Sequence, residues 1–148
     1  MTNSFIRRIN QNDIPEVSHI FTRAYSGEDW QEQWSYETAK ERIQELLSLP
    51  HGIGFVYVFN GVITGCMICE VVTWYTGKQL EIKELFVDPT YQKNGIGKSF
   101  MDYINGFVSE HGITNVFLWT NNSRSLINFY TRTGYRVDTT VIRFEKPF

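Results

Sequence analysis

Asp88-Pro89-Thr90-Tyr91-Gln92-Lys93-Asn94-Gly95-Ile96-Gly97-Lys98 is the stretch on which the fold of this chain turns. Before it, Leu80 to Val87 reads as a strand that Asp88-Pro89 ends. After it, Gly95 to His111 reads as a helix, with Ile96, Phe100, Ile104, Phe107, Val108 and His111 at three- and four-residue intervals. Glycines at such a strand-to-helix turn let the backbone come close to a ligand, and the free amides of the helix start point at negative charge. Lys93 and Lys98 add positive charge. Two phosphate-binding patterns fall short by one residue each. The P-loop spacing matches at Gly97-Lys98-Ser99, but its first glycine falls on Gln92. The dinucleotide fingerprint matches Gly95-Ile96-Gly97, but its third glycine falls on Phe100.

The flanking sequence alternates strands and helices. Ser4 to Ile9 reads as an opening strand. Asp13-Ile14-Pro15-Glu16 combines a cap residue, a first-turn proline and a capping-box glutamate, and Ile14, Val17, Ile20, Phe21, Ala24 and Tyr25 follow at helical spacing. A loop from Gly27 to Trp34 leads into a second helix from about Ser35, with Tyr36, Ala39, Ile43, Leu46 and Leu47 on one face, stopping before Pro50. Two strands meet at Asn60-Gly61, a strong hairpin signal. The chain turns again at Thr76-Gly77-Lys78. Thr114 to Thr120 is a strand, Ser123 to Arg132 a short helix closed by Gly134, and Tyr135 to Lys146 supplies one or two last strands. Without repeats or a linker, residues 1–148 read as one α/β domain.

Composition narrows the class. The chain has 148 residues, 42% hydrophobic, 20% charged and 16% aromatic, enough for a core without disulfide or metal staples and unlike a disordered chain. No apolar run approaches the ~20 residues that cross a bilayer, and the N-terminus lacks the apolar segment of a secretory leader. A cytoplasmic location with no membrane contact is the expectation. The net charge of −2 argues against nucleic acid as a partner. That charge is uneven: residues 1–92 carry 7 Lys/Arg and 12 Asp/Glu, residues 93–148 carry 7 and 4. Such polarity suits an anion held in the second part and a cation in the first. Cys66 and Cys69 lie three apart on an apolar strand, so they face opposite sides and form neither a redox pair nor a zinc site. No metal is expected.

Gln92-Lys93-Asn94-Gly95-Ile96-Gly97 resembles the Q/R-x-x-G-x-G/A motif of the GNAT acyltransferases, which seats the pyrophosphate of acetyl-CoA. Two neighbouring segments extend the likeness. Glu84-Leu85-Phe86-Val87-Asp88-Pro89-Thr90-Tyr91 looks like that family's fourth strand and its exit. Asn128-Phe129-Tyr130-Thr131-Arg132-Thr133-Gly134-Tyr135 resembles its F-Y-x-x-x-G-F/Y ending. The order of elements agrees over nearly the whole chain. The resemblance implies a mixed central sheet of six to seven strands flanked by about four helices. It also implies cofactor contacts from Leu85, Phe86 and Val87, from Gln92 through Lys98, and from Asn128. One departure stands out: where the family often has an Asn that meets the cofactor arm, this chain has Ser123, preceded by Asn122.

Acetylating an amine from a thioester needs a neutral amine, a donor for the developing oxyanion and a proton for the departing thiolate. The resemblance puts the acid on Tyr130 and the oxyanion donor at a backbone N–H near Phe86 or Val87, in a stretch that would pair with the pantetheine arm like an added strand. Glu81 and Glu84, expected on opposite faces of one strand, are the candidate bases, with Glu84 preferred. Paired surface glutamates are the alternative. His19, His51 and His111 join no nucleophile.

The acceptor side is expected between the first two helices. Glu28, Asp29 and Glu32 stand there among Trp30 and Trp34, which suits a cationic amine of aminoglycoside or polyamine type. Glu37, Glu41 and Glu45 share one helix face and read as solvated. The whole describes an N-acetyltransferase using acetyl-CoA and a small-molecule amine, loosely similar to bacterial aminoglycoside 6′-N-acetyltransferase-like members. Two other readings stay open: a protein or peptide acetyltransferase, and a non-catalytic acyl-CoA sensor. A homodimer is compatible with any of them.

Overall fold

The computed structural model describes residues 3–148. Five strands form one sheet in the order β1 (Ser4–Arg8), β2 (Gly52–Phe59), β3 (Val62–Trp74), β4 (Gly77–Val87) and β5 (Ile113–Leu118). The first four pair antiparallel, and β5 runs parallel to β4. A parallel neighbour needs a crossover, which α3 (Ile96–Glu110) supplies. The other helices are α1 (Ile14–Tyr25), α2 (Tyr36–Leu47) and α4 (Arg124–Arg132).

Local chemistry sets most boundaries. Asn60 and Gly61 adopt φ of 48° and 82°, the pair of positive values that a tight hairpin turn between β2 and β3 requires. Ser35 caps α2 through Thr38 N at 3.1 Å, and Ser123 caps α4 through Leu126 N at 3.3 Å. The start of α1 differs from the sequence reading. Asp13 makes no side-chain cap to α1; it closes a capping box with Asn10 over the preceding 3-10 turn, accepting from Asn10 N at 2.8 Å. The Arg7 guanidinium grips the same carboxylate at 2.7 and 3.0 Å. That fork holds the Asp13 carboxyl below the usual carboxylate range.

Two apolar layers sandwich the sheet. Under α1 and α2 lie Val56, Cys66, Ile68 and Phe86, with Phe21 of α1 packed into the same layer. Under α3 lie Phe55, Met67, Cys69, Leu80 and Ile82, with Phe129 and Tyr130 of α4 packed beside them. Cys66 and Cys69 thus face opposite layers, both free and buried, as a separation of three on a regular strand dictates.

Two expectations need correction. The sheet has five strands rather than six to seven, because residues after Tyr135 form no ladder. A strand exists only with a partner for its N–H and C=O groups, and the arm beyond Tyr135 has none here. The second concerns β4. Ile68 pairs with Glu84 and Cys69 with Ile82, so Lys83 is an extra residue in a bulge. Leu80 and Ile82 before the bulge share one core layer with Leu85 and Val87 after it. That parity change leaves Glu81 and Glu84 on the same face, not on opposite ones.

Candidate functional site

β4 carries the site because half of it has a neighbour on one side only. Its pairing with β5 runs from Lys78↔Ile113 to Ile82↔Leu118 and stops there. Asp88 N donates to Thr64 O on β3 at 2.8 Å, which sets the alternation. Phe86 accordingly points its backbone groups to β3, while Leu85 and Val87 point theirs to the open edge. Val87 O accepts from Gln92 Nε2 at 3.1 Å.

Where β4 ends, the loop becomes a cradle. Asp88 accepts from Thr90 N at 3.0 Å and from Arg23 Nη2 at 2.7 Å. Burial pushes the Asp88 carboxyl up, but the Arg23 guanidinium and the Thr90 N–H outweigh it and hold it below its ordinary range. Lys93 and Gly95 then take left-handed backbone, with φ of 64° and 81°. Asn94 Nδ2 donates to Tyr91 O and Gln92 O at 3.0 and 3.1 Å. The amides of Gln92 and Asn94 thus brace the loop rather than reach outward. The backbone N–H groups from Lys93 to Lys98 find no protein acceptor among the described residues. A concave run of free donors at a helix N-terminus is an anion seat. Lys93 is exposed beside it, while Lys98 pairs with Asp102 at 2.9 Å.

The two glycines do different work. A Cβ on Gly95 would meet nothing within 4 Å, so the space above it is open and only its φ demands glycine. A Cβ on Gly97 would come within 3.0 Å of the Phe129 ring, so this glycine lets α4 close onto α3. Gly95→Ala is expected to cost about 1–2 kcal/mol of stability through its left-handed backbone. Gly97→Ala is expected to cost about 1–3 kcal/mol by overpacking against Phe129. Urea denaturation followed by circular dichroism reads both; an unchanged midpoint for Gly97→Ala would show that the ring yields freely.

On the other side of the open edge sits Glu84, whose side chain is 13% exposed. Tyr25 Oη donates to Glu84 Oε2 at 2.6 Å, and Arg42 Nε lies 3.3 Å from Oε1. Burial raises the Glu84 pKa, against the pull of Tyr25 and Arg42. Tyr130 is also held high, by burial and then by the neighbouring Tyr135 and Glu84, so it stays protonated. Among the described residues Tyr130 Oη has no hydrogen-bond partner; only its backbone O accepts, from Thr133 Oγ1, Thr133 N and Tyr135 N. Charge on Glu84 raises both Tyr25 and Tyr130, so both phenols lie within electrostatic reach of that carboxylate. Glu81 is engaged elsewhere: Lys83 Nζ lies 2.8 Å from its carboxylate and 3.8 Å from that of Glu70. It is the paired glutamate of the alternative reading.

The acidic loop resolves into separate roles. Asp29 latches the loop to α4: its Oδ1 accepts from Ser125 Oγ at 2.6 Å and its backbone O from Asn121 Nδ2 at 3.3 Å. Glu32 accepts from Trp34 Nε1 at 2.9 Å and adds charge at Glu84. Trp30 and Trp34 pack edge-on against Tyr25 and Phe21 of α1, so both staple the loop to the core. Glu28 is exposed. A shallow depression of about 550 Å³ is lined by Glu32, Gln33, Trp34, Ser35 and Thr38. Ser123 is occupied as a cap, while Asn122 and Asn128 are exposed. His19 stacks on Tyr36 and His111 on Phe107.

Sequence reasoning missed Arg42, Tyr25 as a partner of Glu84, and the Asp29 latch. The first two were within reach. Arg42 lies three residues after Ala39 and four before Leu46, next to the buried stripe of α2. Tyr25 closes the apolar stripe of α1. The latch joins residues 96 positions apart and left no local trace.

Comparison with known proteins agrees with this fold. A model of the Acetyltransferase (GNAT) family matches residues 14–135. An uncharacterized N-acetyltransferase of Chlorobaculum tepidum, CT2212, is 30% identical over 131 residues, covering 88% of this chain and 74% of that protein. An aminoglycoside acetyltransferase from an uncultured soil metagenomic sample, solved with sisomicin, superposes with a TM-score of 0.75 at 23% identity, over 98% of this chain and 96% of that one. AAC(6')-Iy, solved with the bisubstrate analog CoA-S-monomethyl-acetylneamine, gives 0.77 at 15% identity over 99% of each chain. At these identities the two solved structures speak to fold. No helix among the described residues is long and apolar enough to cross a membrane.

Proposed function

This chain belongs to the acetyltransferase (GNAT) family, and from that premise we propose that it moves an acetyl group from acetyl-CoA to the primary amine of a small cationic molecule. The observation that carries the reading is the cradle of free N–H groups from Lys93 to Lys98, set at the end of a strand whose second half, which carries Glu84, has an open edge. We read residues 1–148 as one catalytic domain.

Acetyl-CoA, when bound, supplies an activated acyl carbon and a thiolate leaving group. The chain's own groups do the rest. The N–H groups of Lys93 to Lys98 hold the pyrophosphate, and Lys93 screens it. Leu85 and Val87 pair along the open edge with the pantetheine arm. Of the two expected oxyanion donors, Val87 N–H faces that edge and Phe86 N–H faces β3, so Val87 takes the role. Glu84 accepts the proton of the attacking amine as the N–C bond forms. Tyr130 Oη gives its proton to sulfur as the C–S bond breaks, which its raised pKa suits. Asn122 and Asn128, both exposed, are the proposed side-chain contacts of the pantetheine arm.

The acceptor is proposed to enter past the depression beside Glu32. Glu32 lines it and Glu28 is exposed in the same loop, so both supply negative charge on this side, and the sisomicin-bound neighbour makes an aminoglycoside-like amine the first class to try. Release of free CoA thiol across a panel of aminoglycosides, polyamines and peptides tests the reading. Turnover with cationic small molecules supports it, and turnover with peptides alone overturns it. Glu28→Gln combined with Glu32→Gln is expected to raise KM much more than it lowers kcat, since remote attraction acts on substrate and transition state alike. Salt should mimic this in the parent protein, because exposed charges are screened over ~8 Å at physiological ionic strength. Asp29→Asn removes the latch instead, so its effect should not be mimicked by salt.

A further inference from the structure

Glu84 is held from two helices at once. From the end of α1, Tyr25 Oη donates to Oε2 at 2.6 Å; from the middle of α2, Arg42 Nε lies 3.3 Å from Oε1. The two oxygens are thus held unequally. A carboxylate oxygen has two lone pairs, and the longer contact on Oε1 leaves that oxygen one with which to receive a proton. Arg42 borders the buried stripe of α2, and its side chain is 37% exposed. Its charge therefore stands between the carboxylate and water.

The other groups around Glu84 leave the charge balance to Arg42. Tyr25 on α1, Tyr130 on α4 and the Cys66 thiol on β3 carry no charge, since burial pushes all three up. Glu32, from the loop between α1 and α2, adds negative charge. On β4 itself, Lys83 is the next residue, but its Nζ lies 2.8 Å from Glu81 and 3.8 Å from Glu70. Among the described residues Arg42 is the one cation paired with Glu84. Burial lifts the Glu84 carboxyl, and the Tyr25 hydrogen bond and the Arg42 charge pull it back. That countercharge answers a difficulty in the chemistry. A cationic acceptor arrives as an ammonium, but only the neutral amine attacks. A lone buried carboxylate would pair with the ammonium and raise its pKa, which opposes proton loss. Beside a guanidinium the carboxylate already has its partner, so a second cation gains little.

We propose that Arg42 is a positioning residue for Glu84, holding Oε1 and supplying the countercharge that lets this carboxylate take a proton from the amine rather than trap it as an ammonium. The inference rests on the transferase reading, in which Glu84 is the base. As the N–C bond forms, the proton leaves the acceptor nitrogen for Oε1. The guanidinium then stands beside a neutral acid and favours its ionised form. The proton passes to water, and the base is reset for the next acceptor.

Two titrations of the full chain test this. The first follows the side-chain carboxyl carbon of Glu84 by NMR in isotope-labelled protein, without any acceptor. The second follows kcat/KM against pH with the best acceptor of the amine panel. Arg42→Gln is expected to raise the Glu84 midpoint and the acidic limb together by about one pH unit. Well below the limb, kcat/KM then falls about tenfold. Arg42→Lys, which keeps the charge but not the planar fork, is expected to recover at least half of both shifts. A residue that only packs would lower the melting temperature and leave both midpoints in place, and that result overturns the proposal. A carbon midpoint that moves without the limb also overturns it, because the base is then another group. In the unaltered protein the Arg42 Nε resonance is expected to shift with the Glu84 midpoint. A resonance indifferent to that titration overturns the proposal even if Arg42→Gln does not fold. Failure of the transferase reading appears only in the rates, and failure of the Arg42 contact appears in the spectra.

Discussion

Tyr130→Phe should lower kcat by about 10²–10⁴-fold, the usual contribution of one acid–base group, with acetyl-CoA affinity nearly unchanged. Phenylalanine keeps the ring that packs against Phe129 and Tyr135, at centroid distances of 5.0 and 6.0 Å. What it removes is a hydroxyl with no protein partner, so no buried group is orphaned and the melting temperature should hold. Acetyl-CoA should still raise that melting temperature, because a ligand specific to the folded state stabilises it by mass action. The loss is confined to a proton needed only as sulfur departs, so kcat and kcat/KM should fall together. A kcat within about twofold of the parent would mean that water protonates the thiolate and Tyr130 is a packing residue.

Glu84→Gln carries the second large effect. Its carboxylate is buried, and burial lifts its pKa above the usual glutamate value. A base works only when ionised, so activity in the parent should rise with pH through that raised pKa and then level. The glutamine variant has nothing to ionise there. Its kcat/KM should be lower by about 10²–10⁴-fold, and its acidic limb flattened. Stability should move the other way. A carboxyl whose folded pKa is raised stabilises the fold most when neutral, below its unfolded pKa, and that contribution is lost as pH rises through the folded value. Removing the charge therefore should not destabilise the protein at neutral pH, with Tyr25 Oη still able to donate to the amide oxygen. A profile that keeps its acidic limb in the variant assigns the base elsewhere. Glu81→Gln is the companion measurement. It shares the strand face with Glu84, so it tests distance and pairing with Lys83 rather than strand side.

Much of this architecture was legible because its signals are local. Asn60-Gly61, Ser35, Ser123 and Gly95 each specify a turn or cap within a few residues, and all four α-helices were found, α1, α2 and α3 with the apolar stripe that faces the sheet. The cradle followed from the same kind of signal, since a strand exit, two glycines and a helix start lie within one short segment. What failed was non-local. Strict alternation along β4 misplaced Glu81, because a bulge is decided by the partner strand and not by the bulged one. The strand count failed at residues 135–148, where side-chain alternation is present and the ladder is not. Asp29 could not be assigned from the acidic loop, because its partner Ser125 comes from the far end of the chain. The tryptophans read equally well as substrate contacts or staples until their rings were seen against Tyr25 and Phe21.

Cys66 and Cys69 bring two thiols into any assay that follows free CoA by sulfhydryl colour. Both are fully buried, and burial pushes both thiols well above their ordinary pKa. The native protein should therefore be silent in such an assay until it opens, since the thiolate is the reactive form. Because one sulfur looks into the layer under α1 and α2 and the other into the layer under α3, their labelling rates become separate clocks for the two sides of the sheet. Mapping the labelled cysteine by mass spectrometry would tell which layer breathes first.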